Sequence, residues 1–346
     1  MLDMTGGFPT PCAEPRLVSN VTIAASKTLR VPVGMDLVSD ELARVEERIT
    51  EVIGSREPLL TEISDYLINA GGKRVRPAVS MLVFRACGGT DVTDMVDLSV
   101  SLELIHTATL LHDDIIDSND TRRGKAAAPL RYGIPGTLVT GDFLFSRAFQ
   151  ICGRFDERIV EWAADACVKL TEGEVMQGRF RRNVDVREEH YLEIVERKTA
   201  SLFSVGARIA AHLAGMQPGS ADRFAECGRR IGIAFQMIDD VLDIEGDAGK
   251  TGKRIGTDLL DGNPSLPIVW GMNLAPVRAA FTCDDPDPDL VDAAIAALRS
   301  AGIGGRARRS AIKHAQAAVG SLDELPPSDY RDALARFISE LVDREL

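Results

Sequence analysis

Apolar residues recur at every third or fourth position along most of this chain. The first clear run consists of Leu42, Val45, Ile49 and Val52. This spacing places the apolar side chains on one face of an α-helix, and Ser39 and Gly54 are suitable residues for its N-cap and its end. The pattern therefore predicts a helix between these two residues, with one face against a core.

The same period continues towards the C-terminus, with breaks at glycine pairs and prolines. Further helices are predicted near residues 60–67, 78–87, 93–117, 137–153, 156–177, 187–214, 220–245, 266–275, 289–301, 304–321 and 327–345. The sequence lacks alternating strand patterns and short internal repeats. We therefore expect an all-α fold, a single-domain helical bundle that covers residues 36–346.

Residues 1–35 differ from the rest of the chain. They show no helical period and contain the breakers Gly6, Gly7, Pro9, Pro11 and Pro15. Asp3 and Glu14, with no apolar block between them, argue against a secretory signal. We interpret this segment as a poorly ordered N-terminal arm.

Composition narrows the class of protein. Of the 346 residues 45% are hydrophobic, and no apolar run is long enough to span a bilayer. The 40 basic and 52 acidic residues give a net charge of −12, so an anionic ligand must meet locally concentrated positive charge or metal ions. The same balance argues against non-specific nucleic-acid binding. The six cysteines are scattered without a CxxC pair, which is typical of reduced thiols in a cytoplasmic protein.

Three aspartates, Asp113, Asp114 and Asp117, lie at the end of a strongly apolar predicted helix. Asp113 and Asp117 are four residues apart and share a helix face, while Asp114 points about 100° away. Like charges at this spacing cost a helix about 0.2–0.5 kcal/mol, and desolvation by the apolar flank raises that cost. We therefore expect positive charge beside them. A lone DDxxD motif also fits an exposed acidic helix end.

A second DDxxD motif makes that alternative weaker. It comprises Asp239, Asp240 and Asp243, and it follows Gln236 on another apolar helix. Two such motifs can face each other across a cavity and hold hard cations through carboxylate oxygens. Mg²⁺ fits best, because it takes one or two carboxylates and completes its shell with phosphate oxygens and water.

Basic residues gather in two short segments. Lys73, Arg74 and Arg76 lie between the glycine pair that ends one predicted helix and the proline that suits the start of the next, where helix N–H groups favour an anion. Arg122 and Arg123 closely follow the first aspartate motif. Carboxylates beside arginines indicate metal ions and phosphates in one site, although a surface ion-pair network gives the same pattern.

Four further polar residues are candidates for the same site. Lys198 and Thr199 lie inside a helix of apolar and small residues, and Lys253 follows the second motif. His106 lies two helical turns before Asp113 on nearly the same face, where a histidine is more often a core residue than a ligand.

In combination and in order, these motifs resemble those of the trans-isoprenyl diphosphate synthases, also called polyprenyl synthetases. The matching segments are GGKRVRP at 71–77, HTATLLHDDIID at 106–117, RRGK at 122–125, KTA at 198–200, QMIDDVLD at 236–243 and GKRIGTD at 252–258. The likeness runs from about residue 40 to about residue 275.

The resemblance implies an all-α homodimer whose helices surround a deep apolar cavity, with both aspartate motifs at its mouth. It implies a prenyltransferase that condenses isopentenyl diphosphate with an allylic diphosphate, here farnesyl or geranylgeranyl diphosphate. Long-chain members, such as octaprenyl and heptaprenyl diphosphate synthases, make all-trans chains for quinones. The alternatives are a short-chain (geranylgeranyl or farnesyl) diphosphate synthase and a non-catalytic subunit of a heteromeric synthase. A terpene cyclase would lack the second aspartate motif.

The resemblance also implies roles for single residues. About two to three Mg²⁺ ions, replaceable by Mn²⁺, would be held by Asp113, Asp117 and Asp239, with Asp114, Asp240 and Asp243 completing the motifs. The allylic diphosphate would be bound by Arg122, Lys198 and Lys253. Isopentenyl diphosphate would be bound by Lys73, Arg76, His106 and Arg123. The developing carbocation would face oxygen dipoles of Thr199 and Gln236.

One position departs from the family pattern. The family commonly reads DLxEGK after the second motif, whereas this chain reads DLLDGN at 258–263. Asn263 therefore takes the place of a lysine, and one expected basic contact to the allylic diphosphate is missing from this position.

Product length is expected to depend on residues below the first motif. Thr109 and Ala108 lie about 6–7.5 Å deeper on that helix than Asp113, and both are small where short-chain members often carry an aromatic ring. A growing tail can pass this level and should stop deeper, and the resemblance to long-chain members implies about six to ten isoprene units. Phe145 and Phe149, one turn apart on the next helix, are candidates for a lower floor; ordinary core residues would fit the same pattern.

Overall fold

Two long helices carry the aspartate motifs, and the remaining helices pack around them. The computed structural model describes residues 34–246 and 255–343. The first part of the chain forms α1 (Ser39–Val52), α2 (Pro58–Ile68), α3 (Val75–Ala86) and α4 (Thr93–Ile116). The middle forms α5 (Ala128–Cys152), α6 (Glu157–Phe180), α7 (Glu188–Val195), α8 (Ser201–Leu213) and α9 (Pro218–Glu245). The last part forms α10 (Thr257–Asp261), α11 (Leu266–Gly271), α12 (Ala275–Thr282), α13 (Pro288–Ser300), α14 (Ile303–Gly320) and α15 (Asp329–Val342). These elements confirm the expected all-α fold.

The first-motif helix α4 lies in the centre of the core. It packs against α5, α3, α1 and α8, and α8 in turn packs along α9. Side chains on all faces of α4 are buried, among them Leu98, Leu102, Leu104 and Ile105. A helix that is apolar all round belongs inside a protein, and each such side chain contributes about 1.5–3 kcal/mol on burial. Neighbouring helices therefore fix α4 along its length, and with it the position of the first motif.

Helix α5 begins earlier than the sequence predicted. The expected range was 137–153, because Pro129 and Pro135 were interpreted as breaks, but the helix starts at Ala128. Pro129 lies in the first turn, where a backbone N–H has no helical partner to lose. Gly133 interrupts the helix with a φ of 78°, a conformation that glycine adopts readily, just before Pro135. The prolines thus mark a start and a kink within one element.

The predicted helix over residues 187–214 is divided by a π-helical turn. Glu196–Ala200 forms this turn between α7 and α8, and it contains Lys198 and Thr199. An apolar period of three to four residues does not reveal a local change to i→i+5 bonding, so this turn could not be predicted. Single π turns inside helices often occur at functional sites.

Two local predictions need correction. Ser39 is the first residue of α1 and not its N-cap, and its hydroxyl donates to the Asp36 carbonyl at 2.9 Å. A small antiparallel strand pair was also not predicted, in which Thr121–Arg122 pairs with Lys125–Ala126. Its turn residues, Arg123 and Gly124, have φ values of 53° and 75°, as a tight hairpin turn requires. This hairpin fixes the basic segment beside the first motif.

The described residues belong to one compact unit. Residues 1–33 of the predicted N-terminal arm (1–35) lie outside the described residues. None of the described helices is long and apolar enough to cross a membrane.

Candidate active site

The first aspartate motif lies where α4 ends. Asp113 and Asp114 are in the last turn, and Asp117 follows it, with its backbone N–H donating to the Asp113 carbonyl at 2.8 Å. Ser118 then takes a φ of 52°, which a helix cannot continue. The carboxylates therefore project from the end of a rigid, buried helix.

Each aspartate of this motif has one cationic partner. Lys198 Nζ lies 3.5 Å from Asp113 Oδ2. Arg122 donates to Asp114 Oδ1 through Nε at 2.8 Å and through Nη2 at 2.5 Å. Arg181 forms an ion pair with Asp117. The positive charge that the sequence pattern required is thus supplied by three separate segments of the chain.

Burial strongly perturbs the pair at the centre of the site. It raises the pKa of Asp113 to about 7, while the positive charge of Lys198 acts in the opposite direction. For Lys198, burial disfavours the ammonium but Asp113 and Glu174 favour it, and the result is a raised pKa. Lys198 is therefore a firmly charged group within reach of any anion that enters the site.

The π-helical turn connects the two aspartate motifs. On one side, Lys198 reaches Asp113; on the other, the Thr199 hydroxyl donates to Gln236 Oε1 on α9 at 2.9 Å. The turn approaches α6 so closely that a Cβ on Gly173 would lie 2.7 Å from the backbone nitrogen of Lys198. Glycine at this position is what allows the approach.

Glu174 is a residue of the site that the sequence did not indicate. It lies on α6 next to Gly173 and forms an ion pair with Lys198. The available signal was indirect, because a lysine among apolar and small residues requires a buried acid as partner. That requirement does not say which of the chain's acidic residues meets it.

In the second motif, the middle aspartate, Asp240, is buried and accepts hydrogen bonds from other residues of the chain. Asp240 accepts from Gln236 Nε2 at 2.9 Å and from the Leu266 backbone N–H at 3.1 Å, and burial raises its pKa to about 6. Asp243 accepts from the backbone N–H groups of Thr257 and Asp258 at 3.0 and 3.1 Å. These contacts tie the chain after α9 to the motif. The predicted ligand Lys253 lies outside the described residues.

The basic segment before α3 is held at the helix N-terminus, as predicted. Arg74 has a left-handed φ of 45° and bonds to Glu46 at 3.0 Å and to Glu103 at 3.1 Å, so it fixes the segment in place. Lys73 is exposed beside it. A Cβ on Gly72 would lie 3.5 Å from Arg123 Nη1, which shows that the hairpin arginine reaches this segment.

Arg76 and His106 lie next to this group in a largely buried position. Burial lowers the pKa of Arg76, whose Nε is buried without a hydrogen-bond partner among the described residues. Burial and then the charges of Arg76, Arg123, Arg122 and Arg74 hold the pKa of His106 well below 6.5. His106 is thus neutral at pH 7 among several cations, a concentration of positive charge that suits a polyanion.

Comparisons with known proteins agree with this geometry. A family model described as "Polyprenyl synthetase" matches residues 57–294. The chain belongs to this family. It is 33% identical to octaprenyl diphosphate synthase of Escherichia coli (strain K12), over 90% of this chain and 98% of the relative. It is 35% identical to a short chain isoprenyl diphosphate synthase of Methanothermobacter thermautotrophicus, over the same shares. The fold is similar to that of a polyprenyl synthase from Caulobacter crescentus CB15, crystallised with calcium and isoprenyl diphosphate, with a TM-score of 0.86, 30% identity and coverage of 91% of this chain and 98% of that one.

Polyprenyl synthetases use metal ions, and the donor set of this member suits Mg²⁺. The described residues contain no group of three or more His, Cys, Asp or Glu side chains close enough to hold a metal by themselves. Both motifs nevertheless offer hard carboxylate oxygens, and Asp114 Oδ2 is buried without a hydrogen-bond partner among the described residues. Mg²⁺ needs only one or two carboxylates when phosphate oxygens and water complete its shell. The residues therefore fit an ion that arrives with a diphosphate.

The residues predicted to set product length lie at different depths in this polyprenyl synthetase. Ala108 is completely buried, and the Thr109 hydroxyl donates to the His106 carbonyl at 2.7 Å. The Phe145 ring is partly buried, with its centroid 6.0 Å from that of His112. Phe149 is 36% exposed in the single chain. The small side chains at 108 and 109 are therefore buried, and a cavity floor at Phe145 or Phe149 stays a prediction.

Proposed function

We propose that this protein is a Mg²⁺-dependent trans-polyprenyl diphosphate synthase that extends farnesyl or geranylgeranyl diphosphate with isopentenyl diphosphate to a long chain. The main support is that each aspartate of the first motif has a cationic partner. One of these partners, Lys198, lies on the π-helical turn that also contacts Gln236 beside the second motif. Two aspartate clusters on separate helices, with Lys198 and Arg122 paired to the first cluster and a separate basic group at Arg76, suit two diphosphates. A terpene cyclase needs only one.

The reaction begins with loss of diphosphate from the allylic substrate, which separates charge. Lys198 and Arg122 would hold oxygens of the leaving diphosphate, with Lys253 as a further predicted contact. Bound Mg²⁺, held by Asp113, Asp117 and Asp239, supplies Lewis-acid stabilisation of the same negative charge. The carbon left behind is a cation, and the Thr199 and Gln236 oxygens, 2.9 Å apart, would direct their dipoles towards it.

The second substrate would lie at the basic group before α3. Lys73, Arg76 and Arg123 would bind the diphosphate of isopentenyl diphosphate, and neutral His106 would donate a hydrogen bond to it. The double bond then attacks the allylic cation, a carbon–carbon bond forms and a proton leaves. The released diphosphate would accept this proton.

The small residues at 108 and 109 support a long product. The buried side chain of Ala108 is small, where short-chain members often carry an aromatic ring, and the relative from Escherichia coli is an octaprenyl diphosphate synthase. A short-chain synthase is the second candidate, because the relative from Methanothermobacter is named as one. Use of the product for quinones and a cytoplasmic location stay predictions from the resemblance and the cysteine pattern.

We also propose that the protein acts as a homodimer. In the single chain, α5 exposes large apolar side chains, with Leu130 63%, Ile134 57% and Val139 54% accessible. Monomeric proteins rarely expose so many apolar residues on one element, and such surfaces usually meet a partner. A second copy of the chain is the partner that the family resemblance implies.

Incubation with labelled isopentenyl diphosphate and several allylic primers tests the proposal. We expect Mg²⁺-dependent incorporation, abolished by EDTA and restored by added Mg²⁺, with products of about six to ten units, the range that the resemblance to long-chain members implies. Products that stop at four units would identify a short-chain enzyme. Full incorporation in EDTA would contradict the mechanism.

A further inference from the structure

The three cations that neutralise the first motif form a pattern. Lys198 pairs with Asp113, Arg122 with Asp114, and Arg181 with Asp117. The first two are the cations assigned to the allylic diphosphate above, whereas Arg181 belongs to none of the sequence motifs. We propose that Arg181 is a third binding residue for this diphosphate, an inference that rests on the proposed function.

The backbone at Arg181 is held firmly beside the second motif. Its neighbour Arg182 has a φ of 56°, and the Arg182 backbone N–H donates to the Gly262 carbonyl at 3.0 Å. The Arg182 guanidinium donates to the carbonyls of Leu260 at 2.7 Å and Asp284 at 3.0 Å. Arg182 therefore anchors the end of α6 to the segment after the second motif, and Arg181 is presented from a fixed point.

The Arg181 guanidinium lies between the two motifs. Its Nη2 contacts Asp117, the last aspartate of the first motif, and lies 3.3 Å from Asn263 Oδ1, in the segment after the second motif. It also acts on Asp261, lowering a pKa that burial raises. A cation here touches both sides of the place where metal ions and diphosphate would meet.

Much of its donor capacity is unused. A guanidinium has five N–H donors, and both hydrogen bonds recorded for Arg181 use Nη2. Its Nε is buried and has no hydrogen-bond partner among the described residues. A planar guanidinium fork matches phosphate oxygens better than a single ammonium group does. Substrate binding would thus give the buried N–H an acceptor.

The side chain at position 263 is neutral and lies beside Arg181. Asn263 cannot contribute charge, and its oxygen accepts from Arg181 instead. If Asp117 served as a ligand of Mg²⁺, its ion pair with Arg181 would be released and the guanidinium would be available to the diphosphate. Arg181 then provides, from the end of α6, the positive charge that position 263 lacks.

Steady-state kinetics of Arg181→Ala, with Arg179→Ala as the control, test the inference. Arg179 is an exposed arginine two residues earlier, so its loss changes the net charge equally. We expect Arg181→Ala to raise the KM for the allylic diphosphate about tenfold or more, because a charge-assisted hydrogen bond is lost, and to change the KM for isopentenyl diphosphate less than about twofold. Arg181→Lys should show a smaller rise. Adding Asn263→Lys to Arg181→Ala should recover part of the lost affinity.

Other outcomes would overturn it. The inference is wrong if Arg181→Ala leaves the KM for the allylic diphosphate unchanged. It is also wrong if both KM values rise equally and the thermal midpoint falls, because Arg181 would then have only a structural role in its ion pair. If the wild-type protein shows no prenyl transfer at all, the proposed function fails, and calorimetry with Mg²⁺ and inorganic diphosphate decides separately on Arg181. Weaker binding to Arg181→Ala than to Arg179→Ala would support the inference, and equal binding would refute it.

Discussion

Replacement of Asp113 by asparagine should stabilise the metal-free protein while it destroys activity. Burial raises the pKa of Asp113 from 3.8 to about 7, although the positive charge of Lys198 acts in the opposite direction. Such a carboxyl binds its proton more tightly in the folded than in the unfolded protein, so the folded state loses stability as the pH rises from about 4 to about 7. Each pKa unit corresponds to 1.36 kcal/mol, which sets an upper limit of about 4 kcal/mol.

Asparagine carries no charge at any pH and escapes this loss. In EDTA, the free energy of unfolding of Asp113→Asn should exceed that of the wild type, and the difference should grow by about 2–3 kcal/mol between pH 5 and pH 8. Lys198 keeps Glu174 as its partner in the variant, so no unpaired ammonium offsets the gain. Urea unfolding at both pH values measures the difference.

Asp120→Asn is the matched control, because this aspartate is exposed three residues after the motif. It should change the free energy of unfolding by less than about 0.5 kcal/mol at either pH. A pH-independent difference for Asp113→Asn, or a variant less stable than the wild type at pH 8, would refute the reasoning.

Three further predictions concern the substrates, the product and the assembly. Asp239→Ala should lower kcat by orders of magnitude, whereas Arg76→Ala should mainly raise the KM for isopentenyl diphosphate. Steady-state kinetics with the opposite effects would show that the roles assigned to the two residues are wrong. Ala108→Phe should shorten the product because a ring fills the path, and Phe149→Ala should lengthen it if that ring is the floor; chromatographic sizing with unchanged products would remove residue 108 from the path. Val139→Asp should convert the dimer into a monomer by sedimentation, because a charge would be buried in the interface, while a dimer of unchanged affinity would place the interface elsewhere.

The sequence could predict those parts of the site that depend on local spacing. Asp113 and Asp114 lie in the last turn of an apolar helix, as the period before them indicates, and Arg74 and Arg76 flank the start of α3. A helix with apolar faces and a charged end can be oriented in a core in few ways, because the apolar faces must be buried and the charged end must reach a polar site. The fold class follows from the same pattern.

Partners that lie far apart in the sequence could not be predicted. Glu174 meets Lys198 only because Gly173 lets α6 approach the π-helical turn, and Arg181 meets Asp117 across 64 positions. The residue types allow many such pairs in a chain with this many charges. The kink at Gly133 was missed for a related reason, because a proline breaks a helix or begins one according to contacts that the sequence does not contain.

The ion pairs of the first motif explain how such a motif persists on a buried helix without metal. Three carboxylates at the end of α4 would repel one another and lose hydration, but three cations from the hairpin, the π-helical turn and the end of α6 stand beside them. Removing one partner of a buried pair leaves an uncompensated charge, so these contacts hold the elements around the mouth of the site together. In the proposed function, Mg²⁺ would replace the cationic partners of Asp113 and Asp117, and the diphosphate would replace the carboxylate partners of Lys198 and Arg181. Under that proposal, the same side chains would both stabilise the metal-free protein and bind the substrate.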